Sequence, residues 1–336
     1  MTKNKNSYHI LVMRFSAFGD VAMTIPVIEE FIEQNPNVKI TFLSRAKFKP
    51  LLLNSPNINF IEADLDDKHK GIFGLYKLYN ELKKQNFDAI ADLHNVLRTK
   101  IIRKYFAFDK VKISVLDKGR NERKALLRIE NKVRKPIKPM VERYADVFRN
   151  LGFEFNLTHQ LKPNTTTPEN AVGIAPFAMY EGKMFPIDKM RSVAQKLAEN
   201  DIKVYLFGGG NEAAELNSWA KLNPNIESTV GKYNLEGELA LIKKLKLMIS
   251  MDSANMHLAS LVGVPVISIW GNTHPFMGFL GYGQSMENII QDESFLQRPT
   301  SVFGKESNKE KRVDFFQNIT PEMVVEKVQL LLKKFI

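Results

Sequence analysis

The chain has 336 residues, of which 44% are hydrophobic and 25% charged, with a formal net charge of +11 and no cysteine. It is longer than the roughly 250–300 residues at which single cores stop growing, so two globular domains are expected. The missing thiols exclude disulfides and thiolate metal sites and favour a cytoplasmic location. No window approaches the roughly 18 uninterrupted apolar residues of a membrane span, and the apolar run near the start meets Arg14 too soon for a signal peptide.

In the first half, apolar runs predict strands over 10–13, 38–43, 59–62, 89–93 and 112–115. Amphipathic stretches predict helices over 22–34, 73–85, 96–105 and 141–151. This alternation is the pattern of a parallel, doubly wound α/β sheet. The first strand runs directly into "RFSAFGDV" (14–21). Gly19 permits a sharp strand-to-helix turn there, and Asp20 is either a helix cap or a carboxylate aimed at a ligand as a general base. With Gly19 alone, the stretch lacks the spacing of a dinucleotide fingerprint.

Between 118 and 138 the sequence holds nine Lys/Arg against two Glu. It is either a solvated basic helix and loop or a surface for a phosphate-bearing partner. Aromatic residues are not interleaved with these charges, which argues against single-stranded nucleic acid. Residues 156–170, with two prolines and a Thr run, form the expected linker.

The pattern then restarts, with strands over 171–175, 203–207, 247–250 and 264–269 and helices over 187–199, 212–220, 235–245 and 255–262. A closing helix over 320–336 must dock on a domain, the first being one candidate. The expected division is therefore 1–160, 161–319 and this helix, with a cleft between two Rossmann-like halves. Ligands of open α/β sheets sit at the carboxyl ends of strands.

Three loops of the second half lie at such ends. "SMDSANMH" (250–257) joins a strand end to a helix start, where Ser253 and free amides suit a diphosphate and His257 lies within reach. Simple capping by Asp252 and Ser253 is the plain alternative. Lys183, in "YEGKMFP" (180–186), is either a solvated loop lysine or a phosphate counter-charge. Glu212 follows three glycines and opens a helix, as a dipole-favoured residue or an acceptor for sugar hydroxyls. No His/Asp/Glu cluster has metal-ligand spacing, and there is no nucleophile elbow.

Taken together, "ILVMRFSAFGDVAMTIPVI", "GKMFP" and "DSANMHLASLVGVPVISIWGNTHP", in this order, resemble glycosyltransferase family 9. This heptosyltransferase-like family assembles the lipopolysaccharide core. The similarity extends over nearly the whole chain, including the later "RPTSVFG" and "ITPEMV". The resemblance implies a GT-B fold whose first domain binds the acceptor and whose second binds a nucleotide-sugar. It implies an inverting reaction without metal or further cofactor, commonly with ADP-heptose as donor.

By the same resemblance, Asp20 is the general base, and Lys183, Glu212, Asp252, Ser253, Ala254 and His257 hold the donor. Ala254 stands where the family usually has glycine, and its methyl group crowds a backbone that must approach a diphosphate. Ser16, Arg98, Lys118, Arg120 and Arg123 are expected to face an anionic, lipid-linked saccharide acceptor, with the protein peripheral on the inner face of the cytoplasmic membrane and no nucleic-acid partner. Two rivals remain: a nucleotide-sugar epimerase of similar architecture, which needs no acceptor, and a non-catalytic nucleic-acid-binding protein, which gives Asp20 and Asp252 no role.

Overall fold

A computed structural model describes residues 7–52, 55–305 and 313–335. The chain divides into two compact units, one made of Met1–Lys118 with Met140–Thr158 and the other of Gly119–Pro139 with His159–Ile336. The first opens with β1 (Tyr8–Met13), α1 (Phe18–Gln34), β2 (Val38–Ser44) and a 3-10 turn over Ala46–Leu52. It continues with β3 (Ile58–Glu62), α2 (Gly71–Lys83), β4 (Ala89–Asp92), α3 (Leu97–Phe108) and β5 (Lys112–Val115). The chain then forms α4 (Arg120–Leu126), which belongs to the second unit, and returns to the first as α5 (Met140–Arg149).

All pairings in the first sheet are parallel, in the order β3-β2-β1-β4-β5. Strand β1 is central, so Ile10 to Met13 are buried on both faces, which explains its unbroken apolar run. Right-handed crossovers place α1 and α5 on one face and α2 and α3 on the other. Leu78 and Leu82 of α2 and Ile102 and Phe106 of α3 pack there against Leu11 and Ile90.

The second unit contains β6 (Ala171–Ala175), α6 (Ile187–Glu199), β7 (Lys203–Leu206), α7 (Ala213–Trp219) and β8 (Ile226–Ser228). There follow α8 (Leu235–Ile242), β9 (Leu247–Met251), α9 (Ala254–Leu261), β10 (Val266–Trp270), β11 (Ile289–Gln291) and α10 (Pro321–Leu332). Its six strands are parallel, in the order β11-β10-β9-β6-β7-β8. The closing helix α10 starts on Thr320, whose hydroxyl accepts from Met323 N. It packs on α6, with Val324 and Val328 in this unit's core. Ile336, the end of the expected helix, lies outside the described residues.

The basic run is the main departure from the expected boundaries. Residues 119–139 group with the second unit because specific bonds tie them to it. Ile137 N donates to Phe276 O at 3.0 Å, Lys132 Nζ to Pro299 O at 2.9 Å, and Arg134 pairs with Glu293 at 2.6 Å. The expected linker is also built in from residue 159 onward: Asn164 Nδ2 donates to Lys243 O at 2.6 Å. The three-residue strands β8 and β11 were too short to be read from periodicity.

Each sheet contains one point where the chain reverses its direction of travel, between β1 and β4 in the first and between β6 and β9 in the second. Crossovers leave such a pair on opposite faces, and a crevice opens over its carboxyl ends. No described helix is long and apolar enough to cross a membrane.

Arg298 holds the loop after β10 and is completely buried. Its guanidinium donates to Trp270 O (3.0 Å), Thr273 O (2.9 Å), Asp292 O (3.1 Å), Gln291 Oε1 (3.1 Å) and Gly271 O. Burial is the main cause that lowers its pKa, to about 10, so it stays charged at neutral pH. Arg298→Met keeps the apolar stem but strips these oxygens of their donor. It is expected to lower stability by about 3 kcal/mol or more in urea unfolding, and a loss under about 1 kcal/mol would contradict this account.

Candidate active site

In the first unit the residues after β1 and those after β4 meet at the reversal point. Asp20 lies in the first turn of α1, three residues past the N-cap Ala17. Its Oδ2 accepts from Ala17 N at 3.3 Å and pairs with Arg14 Nη2 at 2.7 Å. Arg14 is buried and anchored on its own account: Nη1 donates to Leu93 O at 2.6 Å, and the guanidinium lies 5.6 Å from the Tyr144 ring centroid. Asp20 keeps 28% of its side chain exposed. Both of these bonds use Oδ2, so the cap function and an outward-facing carboxylate oxygen coexist. Helix α1 begins at Phe18, four residues before the expected 22, because Asp20 stabilises this first turn from within.

His94 is the functional-looking residue that sequence reasoning missed. Phe15 N donates to its Nδ1 at 3.3 Å, so the neutral ring carries its proton on Nε2, which donates to Ser16 Oγ at 3.3 Å. Burial first, then Arg14 and Lys118, lower its pKa to about 3, so it serves as a fixed donor and not as an acid. The loop is shaped by buried Asp92, whose Oδ1 accepts from His94 N (2.9 Å) and Asn95 N (2.8 Å) while Oδ2 pairs with Arg103 Nε at 3.1 Å. Arg14, Lys118, Asp20 and Arg98 all act on the His94 ring through their charges, so these groups lie in its neighbourhood, with Ser16 in direct contact with it. Only a single His in a polar loop signalled this in the sequence, and nothing marked it out.

Arg120 and Arg123 do not join that group within the unit. Both lie on α4 of the second unit. Arg120 is exposed, whereas Arg123 is buried with its guanidinium 4.5 Å from the Phe279 ring centroid, a packing role that removes it from solvent.

In the second unit, the loops after β6 and β9 flank the other reversal point. Lys183 ends a 3-10 turn (Glu181–Lys183). Its Nζ pairs with Asp252 Oδ2 at 2.7 Å and donates to Asp252 O at 3.0 Å. Asn272, in the loop held by Arg298, grips the Lys183 turn: its N donates to Gly182 O (2.9 Å) and its Nδ2 to Gly304 O (3.2 Å). Gly304 has a positive φ of 85° and abuts the lysine stem, where a Cβ would come within 2.4 Å of Lys183 Cγ.

Ser253 is the N-cap of α9, but its hydroxyl contacts Ser250 Oγ at 3.2 Å and does not cap the helix. The first amides of α9, beginning at half-buried Ala254, therefore lack a side-chain cap, and the residue before the N-cap, Asp252, is the one that holds Lys183. His257 is buried one turn into the helix. Glu212 stands one strand over, after β7, and its Oε2 accepts from Gly209 N at 2.5 Å, closing the glycine turn. An ammonium, unsatisfied helix amides and a positive helix end make an anion cradle. Among the described residues no group of three or more His, Cys, Asp or Glu could hold a metal ion.

The chain is similar to known proteins along most of its length. The model of glycosyltransferase family 9 (heptosyltransferase) matches residues 75–301. A lipopolysaccharide core heptosyltransferase of Haemophilus influenzae is 25% identical, over 89% of this chain and 88% of its own. Lipopolysaccharide heptosyltransferase 1 of Campylobacter coli is 26% identical, over 79% and 84%. Among solved structures, a family 9 glycosyl transferase of Veillonella parvula has a TM-score of 0.73 at 20% identity, covering 98% of this chain and 99% of that one. An E. coli heptosyltransferase solved with ADP has a TM-score of 0.70 at 17% identity, covering 96% and 99%. These structural likenesses establish the GT-B fold class.

The neutral state of His94 has a consequence for stability. The folded ring resists protonation down to about pH 3, whereas an unfolded histidine takes a proton near 6.5. The unfolded chain thus binds more protons between these values, and stability falls as pH drops through that window, by about 2 kcal/mol at pH 5 from this ring. His94→Gln is expected to show a shallower loss of the urea midpoint between pH 7 and pH 5. An unchanged slope would mean that the ring is already charged in the fold.

Proposed function

Because the chain belongs to glycosyltransferase family 9, the heptosyltransferase family, we propose that it moves a heptose from ADP-heptose onto a hydroxyl of a lipopolysaccharide-core acceptor, with inversion and without a metal. One observation supports the reading: each unit presents, at its own reversal point, groups whose chemistry suits one half of such a transfer. The first has a carboxylate backed by a buried arginine, and the second has an anion cradle. The names of the relatives support the sugar and the acceptor, and the solved likeness with ADP supports the nucleotide.

In this mechanism Asp20 accepts the proton of the acceptor hydroxyl through the oxygen not committed to Arg14 and Ala17. The acceptor oxygen bonds to the anomeric carbon from the face opposite the phosphate. The bond from that carbon to the diphosphate oxygen breaks, its electron pair leaves with ADP, and the configuration inverts. Lys183 and the α9 amides stabilise the charge that develops on the diphosphate, the role a metal plays elsewhere. Asp252 positions the ammonium, and Glu212 accepts from ribose hydroxyls. Ser253 and His257 complete the donor side, and the Ala254 methyl sets how closely the helix start approaches the phosphates. Ser16, oriented by His94, joins Arg98 and Lys118 in receiving an acidic, lipid-linked acceptor. The enzyme would therefore work peripherally at the cytoplasmic face of a membrane.

Two variants test the assignment. Asp20→Asn is expected to lower kcat by about 10²- to 10⁴-fold while ADP still raises the melting temperature. Lys183→Met is expected to abolish the ADP response, which for the wild type at 100 times Kd corresponds to about 2.7 kcal/mol. Transfer by Asp20→Asn at the wild-type rate would remove this carboxylate as the base, and a wild type indifferent to every ADP-linked ligand would remove the donor.

A further inference from the structure

We infer that the outer faces of α2 and α3 form the surface by which the first unit rests on an anionic phospholipid bilayer. This rests on the reading of a lipid-linked acceptor and adds the place of contact. Phe73 is 90% exposed, Ile72 64% and Leu97 73%, and Tyr76 is half exposed beside them. Ile72 and Tyr76 stack one turn apart on α2, as do Phe73 and exposed Lys77. Leu97, Lys100 and Lys104 form one exposed stripe on α3. The two faces are continuous, because the Tyr76 and Tyr105 rings meet edge-on at 5.5 Å.

The apolar tip is rigidly held. Residues 64–69 wind into a tight loop in which His69 N donates to Asp64 O (2.7 Å) and Asp64 N to His69 Nδ1 (3.1 Å). Gly74 lies against this loop, where a Cβ would come within 2.3 Å of the His69 carbonyl carbon. Phe73 is therefore presented outward by a braced turn.

Charge selects the occupant. Helix α3 has no acidic residue, and the only one on α2, Glu81, is engaged by Lys68 (3.0 Å) and His69 (3.3 Å). Asp109, at the far end of α3, is engaged by Lys83 at 2.6 Å. The bracing loop carries Asp64, Asp66 and Asp67; Asp66 is paired with Arg45, and Asp64 accepts from Asp67 N and Lys68 N (both 3.2 Å). Exposed Lys77, Lys100 and Lys104 stand around the apolar and aromatic tips, an arrangement that suits acyl chains beneath a layer of phosphates. Aliphatic Ile72 and Leu97 offer nothing to a nucleic-acid base. The basic run at 118–138 exposes Ile129 almost fully but without an aromatic partner, and several of its cations are tied down as described above. Helices α2 and α3 also begin over the carboxyl ends of β3 and β4, the edge of the sheet where Asp20 lies.

The test is co-sedimentation of the full chain with phosphatidylglycerol-containing vesicles, and with phosphatidylcholine vesicles, in the absence of donor and acceptor. It reads the surface independently of transfer, which is assayed separately with detergent-dispersed acceptor. The wild type should bind the anionic vesicles, and more weakly as salt rises. Lys77→Gln with Lys100→Gln should weaken binding by roughly 25-fold, at about fivefold per charge, and Ile72→Ser with Phe73→Ser by about tenfold or more. Both variants should keep the wild-type melting temperature and transfer rate in detergent. Failure of the wild type to bind anionic vesicles would overturn the proposal. So would variants that bind like the wild type, loss of binding through Lys124→Gln with Arg128→Gln instead, or capture of RNA through these residues without vesicle binding.

Discussion

A parallel sheet whose chain reverses its direction of travel cannot be covered evenly. At the reversal, neighbouring strands send their connections to opposite faces, and the backbone at their carboxyl ends stays open. The first sheet reverses between β1 and β4 and the second between β6 and β9. Each polar constellation described above stands at one of these points. Asp20, Arg14 and Ser16 follow β1 while Asp92 and His94 end or follow β4; Lys183 follows β6 while Asp252 and Ser253 follow β9. The placement is a property of strand order, and the side chains supply the chemistry.

Both sites are over-determined by buried charge whose first task is positional. Arg14 is fixed by a carbonyl and an aromatic face before it meets Asp20, and Arg298 is fixed by five oxygens of the loops that carry Asn272. A guanidinium can satisfy several carbonyls at once in a plane, and it does so while staying charged. Asn272 transmits that order to Gly182 and so to Lys183. A site that must stabilise charge in a transition state gains from groups that cannot reorient when the charge appears.

Much of the fold was legible because it is local. The strand β6 and the helix α6 lie where the hydrophobic periodicity put them, with identical ends. Asp20 was legible as a residue with two candidate roles, and the geometry accommodates both, since cap and ion pair share one oxygen. What could not be read depends on tertiary contact. Arg14 stood in the quoted motif, yet its bond to Leu93 O spans 79 positions. Lys183 and Asp252 are 69 apart, and their contact needs β6 and β9 to be neighbours. The basic run looked like part of the first domain because it follows β5 in sequence; the bonds to Phe276, Pro299 and Glu293 that assign it elsewhere have no local signature.

The dependence of Lys183 on Arg298 also bears on how such a protein can be varied. The lysine turn, the α9 start, the loop after β10 and the arginine that locks it span residues 181 to 298 and are joined by the bonds of Lys183, Asn272 and Arg298. A chimaera that exchanged only the lysine turn would import a side chain without its clamp. The smallest piece that keeps these bonds together is the whole block from β6 through the Gly304 turn, so any change to the lysine turn must be matched across that length of chain.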